Sequence, residues 1–187
     1  MNNLRFISST FDCKCDLEHT LIPDLEKFNL PYHIYEFNHI LSIQKAMIDF
    51  PDQNIIWLNP QSKINTHPNL LFQIPDYVHL GVNYIDYSEL FGPGKHISKE
   101  FELNINTLYI KNNMAIVPFM EEWLERYENT NNLVPELYKM IIEQSKENLQ
   151  LFLIPREYSY ISHRMSGELP FKPCQKPVIS HFNNKIG

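Results

Sequence analysis

The segment Asn54-Ile55-Ile56-Trp57-Leu58-Asn59-Pro60-Gln61 constrains this chain more than any other. Four successive apolar residues predict a buried strand, one covered on both faces of its sheet. The strand runs straight into short polar side chains. In open α/β sheets that carboxyl edge is where ligand-binding groups are presented.

The neighbouring segments supply the rest of such a sheet. Leu4 to Thr10 predicts a first strand ending in the hydroxyls of Ser8, Ser9 and Thr10. Leu21, Ile22, Leu25 and Phe28 follow at helical spacing, with Thr20 as the cap because Pro23 is tolerated only in a first turn. Tyr32 to Phe37 predicts a second strand. A helix carrying Ile40, Ile43, Met47 and Phe50 on one face then ends at Pro51. The order β-α-β-α-β implies a parallel sheet with flanking helices. Beyond it, Tyr77 to Val82 and Phe101 to Lys111 predict strands, and Gly92-Pro93-Gly94 marks a loop, read as a connector in preference to a lid. Asn112 or Asn113 caps a helix from Met114 to Glu128, with Ile116, Met120, Trp123, Leu124 and Tyr127 as its core-facing stripe. Pro135 opens a further helix. Short strands are expected at Leu149 to Ile154 and Pro177 to Phe182. No repeat or linker interrupts the pattern, so residues 1–187 read as a single domain.

Bulk properties exclude several classes of function. A net charge of −6 offers no general affinity for nucleic acid or an anionic membrane. No apolar run approaches the roughly 20 residues that span a bilayer, and Met1-Asn2-Asn3-Leu4-Arg5 does not open a signal peptide, so a soluble, cytoplasmic protein is expected. Cys13, Cys15 and Cys174 lack metal-type spacing and read as reduced thiols. Phosphate-loop, dinucleotide-binding, nucleophile-elbow and zinc-protease signatures are all absent.

Several separated stretches, in order, resemble nucleotide-diphosphosugar glycosyltransferases of the GT-A fold. Ile55 to Leu58 with Asn59 and Gln61 is similar to their strand ending in Asp-x-Asp. Gln44-Lys45-Ala46 stands where relatives carry a lysine on the preceding helix. Asn65 to Leu71 looks like the segment after the acidic pair. Glu102 to Ile110 resembles the Asn-x-Gly strand walling the donor pocket, and Phe119, Glu122 and Trp123 lie on the helix that follows it. Ile154 to Tyr158 and Pro177 to Phe182 resemble the closing proline-tyrosine and histidine segments. The pattern departs at Asn59 and Gln61, which replace two acids, and at Asn106, where glycine is usual.

The resemblance implies an α/β, GT-A-like (Rossmann-related) mixed sheet flanked by helices, and a glycosyltransferase using a nucleotide-sugar donor, UDP-linked by analogy. Base recognition would fall to Ser8, Ser9 and Thr10. The diphosphate would fall to Lys45, Asn59, Gln61, His181 and Lys185, with Lys63 a further cation. Asn59, Gln61 and His181 occupy the metal positions. Mn²⁺ or Mg²⁺ favours carboxylate oxygens, so exchanging both acids for neutral amides lowers its affinity steeply. Asp86, or Glu89, would serve as base or sugar-hydroxyl contact, and Asn104 would bind a sugar hydroxyl.

Each residue also has a plainer reading. The lysines and Asp86 can be solvated surface charges, His181 a buried structural histidine, and Asn104 a strand-pairing amide. Glu136 can be a first-turn helix charge. Trp57 reads as core, and Tyr158 and Tyr160 as packing aromatics. The acceptor is left open among a glycan, protein, lipid carrier or nucleic acid, with a second subunit as a further partner. Loss of both acids also permits a non-catalytic scaffold that binds nucleotide or a partner protein.

Overall fold

The computed structural model describes residues 3–11, 17–86, 101–144, 149–162 and 174–182. Glu89, the Gly92-Pro93-Gly94 loop, Cys13, Cys15 and Lys185 lie outside them.

Six strands form the main sheet in the order β2-β1-β3-β6-β5-β7. They are β1 (Leu4–Ser9), β2 (Tyr32–Tyr35), β3 (Asn54–Leu58), β5 (Leu80–Asp86), β6 (Phe101–Ile110) and β7 (Leu151–Leu153). β1 is parallel to both β2 and β3, as the alternating order of elements predicts. β6 runs antiparallel to β3 and β5, while β7 returns parallel to β5. The expected mixed α/β architecture is therefore present. All five residues of β3 are buried, because strands flank it on both edges and apolar side chains cover both faces. A second, three-stranded sheet has the order β4-β9-β8, from Ser62–Ile64, Ile179–Phe182 and Tyr160–Ser162.

Two apolar clusters cover the two faces of the main sheet. On one, Ile7, Trp57 and Leu108 pack with helices α2 (His39–Asp49), α3 (Val117–Thr130) and α4 (Leu133–Gln144). On the other, Phe6, Ile56 and Tyr109 pack with Leu17, Leu21 and Leu25 and with Ile64 and Ile179 of the small sheet. Trp57 is 1% exposed, so it belongs to the core, as its apolar neighbours predict. Helix starts follow the side chains available. Asn38 accepts the Leu41 N–H to cap α2, and Asn113 accepts from Ala115 and Ile116 ahead of α3. Asn131 ends α3 in the left-handed region (φ 55°).

Some boundaries differ from the sequence expectation. The segment before α1 (Ile22–Lys27) is a π-helical turn, Leu17–Leu21, so Thr20 lies inside a helical stretch rather than capping one. β5 begins at Leu80, not Tyr77, because the Val78 N–H bonds the Pro75 carbonyl in a turn. Among the described residues no helix is long and apolar enough to cross a membrane.

A register shift separates Gly81↔Tyr109 from Asn83↔Asn104 along β5 and β6, and frees residues 105–108 of β6 from β5. At Gly81 the neighbouring side chains leave no room for a Cβ. A Cβ there would meet Tyr109 Cβ at 2.8 Å and Ile154 Cδ1 at 3.3 Å. Gly81→Val is expected to destabilise the protein by about 1–3 kcal/mol, read from urea unfolding. An unchanged midpoint would contradict this register.

Candidate functional site

Because β1, β3, β5 and β7 share one direction, their carboxyl ends reach the same edge, and antiparallel β6 enters from it. Leu58 pairs with Thr107, so Asn59 leaves β3 opposite Asn106. Its N–H donates to the Asn106 carbonyl at 2.8 Å, and its side-chain amide donates to Asn106 Oδ1 at 3.0 Å. Asn59 Oδ1 accepts the Gln61 N–H at 2.9 Å, a side-chain turn that reverses the chain into β4.

The amides continue across the sheet. Asn106 N–H donates to Asn104 Oδ1 (3.0 Å), and Asn104 Nδ2 donates to Asn83 Oδ1 (3.2 Å) and the Ser159 carbonyl (2.9 Å). Asn83 Nδ2 donates to the Ile154 carbonyl at 2.8 Å. Four asparagines thus link β3, β6 and β5 in a continuous chain. Asn104 is buried within it, with its amide serving the strand-pairing role.

His181 lies beneath the Asn59 turn. It pairs with Ser62 in the small sheet, one residue from Gln61, so the segments that sequence reasoning grouped do converge. Its Nδ1 is 2.8 Å from Ser62 Oγ and its Nε2 is 3.2 Å from Thr107 Oγ1. Thr107 Oγ1 donates its proton to the Tyr158 carbonyl at 2.8 Å. Ser62 Oγ donates to the Asn59 carbonyl at 2.5 Å, which ties the histidine to the turn. Burial pushes the His181 pKa down to about 3 and keeps the ring neutral.

Beside this cluster a small cleft opens between the ends of β5 and β6 and the segment leading into β8. Asp86, Asn104, Arg156, Ser159 and Tyr160 line it. The Arg156 guanidinium sits over the Tyr160 ring, 5.6 Å from its centroid. Ser159 Oγ is buried with no hydrogen-bond partner among the described residues, an uncommon state for a hydroxyl in a cleft wall.

Other candidates are placed elsewhere or held by the fold. The Ser8 hydroxyl donates to the Leu58 carbonyl at 2.7 Å, and Ser9 bonds the Phe37 carbonyl. Both are buried, and the Thr10 hydroxyl donates to the Tyr35 carbonyl at 3.4 Å, so the fold holds all three hydroxyls. Lys45 lies on the exposed face of α2 and is ion-paired with Asp49 one turn later, away from the side chains that meet at Asn59. Lys63 is exposed in the middle of β4. Glu136 bonds Lys139 at 2.7 Å in the first turn of α4, as a helix-start charge does. Tyr158 accepts the Leu70 N–H, an anchoring contact. Ser62, Thr107, Asn83, Arg156 and Ser159 were not singled out by sequence reasoning.

Several of the side chains expected to hold a divalent cation already have partners in the fold. Asn59 Oδ1 is committed to its own turn and both His181 nitrogens face hydroxyls. Among the described residues no three His, Cys, Asp or Glu side chains gather as a metal site.

No protein-family model matches the sequence, and no curated protein is similar to it in sequence. The fold is shared more widely. A glycosyltransferase involved in the glycosylation of the major capsid of PBCV-1 superposes with a TM-score of 0.64 at 10% identity, over 96% of this chain and 93% of that one. The galactosyltransferase LgtC, solved in complex with donor and acceptor sugar analogs, gives 0.55 at 9% identity, over 95% and 86%. GlyE of Streptococcus pneumoniae TIGR4 gives 0.58 at 12% identity, over 97% of this chain and 54% of that one. The chain therefore corresponds to about half of GlyE. At these identities the likeness establishes the fold, which is that of GT-A glycosyltransferases.

Proposed function

We propose that this protein transfers a sugar from a nucleotide-diphosphate donor, UDP-linked in the first instance, to an acceptor hydroxyl at the carboxyl edge of its main sheet. One observation carries the reading. On a GT-A fold, the Asn59 turn, the asparagine chain, His181 and the Asp86–Arg156 cleft converge on the edge where such sheets bind ligands. The fold alone does not specify chemistry, so the weight rests on this convergence.

In the proposed reaction an acceptor oxygen bonds the anomeric carbon as the bond from that carbon to the diphosphate breaks. Asp86 takes the hydroxyl proton, and the departing diphosphate carries away the bonding electrons. Negative charge then develops on the phosphate. Arg156 is the described cation of the cleft, and a fixed guanidinium stabilises such charge without a metal. The asparagine chain ties the strands of the cleft wall together.

A second reading, a nucleotide-binding scaffold without turnover, is favoured by the internal bonding of Asn59, Asn104 and His181. One experiment separates the two. The protein is incubated with a panel of nucleotide sugars, with Mn²⁺ and with a chelator, while nucleotide binding and donor hydrolysis are followed. The transferase reading expects hydrolysis that persists in chelator and falls on the order of 10²-fold in Asp86→Asn. Binding without hydrolysis in every condition supports the scaffold. Failure to bind any nucleotide contradicts both.

A further inference from the structure

We infer that the groove between α2 and α3 is a docking site for a cationic amphipathic helix of a partner protein. The groove encloses about 410 Å³ on the helical face of the main sheet. Its floor is apolar, from Met47 and Ile48 of α2 and Val117, Met120 and Leu124 of α3. Ile48 is 73% exposed, an isoleucine placed where a partner could cover it. The Gln44 side chain donates to the Met120 carbonyl at 3.2 Å and fixes the two helices against each other beneath the opening.

Helical spacing divides α3 along its length. Val117, Met120 and Leu124 form the inner edge, while Glu121, Glu125 and Glu128 form an outer rim. All three glutamates are exposed, and none is bonded or ion-paired to a described residue, unlike Glu122, which holds Arg126. From Val117 to Glu128 the helix rises about 17 Å, enough for three turns of a second helix laid alongside. An apolar floor with an unneutralised acidic rim is complementary to a helix with apolar residues at i, i+3 or i+4 and i+7, flanked by Lys or Arg.

The same charges argue against other occupants. In a symmetric dimer the two acidic rims would approach each other, and the chain already carries a net charge of −6. An anionic lipid surface would be repelled in the same way. The groove lies on α2 and α3, apart from the proposed sugar-transfer edge, so the inference stands without that reading.

A synthetic 15-residue Leu/Lys amphipathic helix, labelled and followed by fluorescence anisotropy, tests it. Saturable binding is expected, with Kd rising at least about tenfold in Ile48→Glu and again in the triple variant Glu121→Lys, Glu125→Lys and Glu128→Lys. Tyr77→Ser, which removes an exposed aromatic outside the groove, should leave Kd unchanged. Raising ionic strength from about 0.05 to 0.5 M should weaken the complex, because its charges are solvent-exposed. A peptide of the same composition with a scrambled apolar stripe should not saturate. Circular dichroism confirms that each variant is folded. No saturable binding, equal binding of the scrambled peptide, or a Kd indifferent to both groove variants would overturn the proposal. So would sedimentation showing a dimer that Ile48→Glu dissolves, since the occupant would then be a second copy.

Discussion

Lowering the pH from 7 to 5 is expected to remove about 2 kcal/mol of folding stability through His181 alone. Its ring is 2% exposed, and burial pushes its pKa down to about 3 from an ordinary value of 6.5. As the pH falls through 6.5 the unfolded chain takes up a proton that the folded ring refuses until about pH 3. The stabilisation is therefore present above 6.5 and is lost progressively below it. Urea unfolding at pH 7, 6 and 5 measures the loss. His181→Gln keeps a polar side chain beside Thr107 and Ser62 but has nothing to titrate, so its stability should fall less over the same range. Equal pH slopes in the two proteins would mean that the ring is not buried and neutral between those hydroxyls.

The double substitution Asn59→Asp with Gln61→Asp is expected to raise Mn²⁺ affinity at least about tenfold, because hard cations favour carboxylates over neutral amides. An aspartate at 59 can still accept the Gln61 backbone N–H, so the turn should survive. It cannot donate to Asn106 Oδ1 as Asn59 does, and the Asn106 amide must rotate to present its NH₂ group. A modest loss of stability in the metal-free variant, recovered on adding Mn²⁺, is the expected companion result. Calorimetric titration of the ion into both proteins measures the change. Unchanged affinity would show that this turn does not correspond to an acidic-pair strand.

Much of the scaffold was legible because its signals are long and periodic. β3 is a run of apolar residues with no exposed face, and α2 and α3 carry their core stripes at helical spacing. Ser62–Ile64 and Tyr160–Ser162 were not legible, since three residues hold too little periodicity to register and their pairing with β9 is entirely long-range. The site divides in the same way. Resemblance brought Asn59, Gln61 and His181 together, but Asn106 beside Asn59 and the hydroxyls beside His181 lie far away in sequence. Ser62 meets His181 across 119 positions, and nothing local in either segment announces it. The alternation of Asn104 and Asn106 along β6 was the available hint that polar groups line that strand. Lys45 has a local partner that the sequence did display. Asp49 one turn later on the same exposed face offered an ion pair that competes with any role at the edge.

In the proposed function, the carboxyl edge around Asn59, Asn106 and His181 receives a nucleotide sugar. Backbone amide chemical shifts followed during titration with UDP and a UDP-sugar test it most directly. Saturable shifts are expected at residues 9–11, 59–62, 104–107 and 156–161, with the α2–α3 groove unmoved. Shifts confined to another surface, or none with any nucleotide sugar, would contradict it.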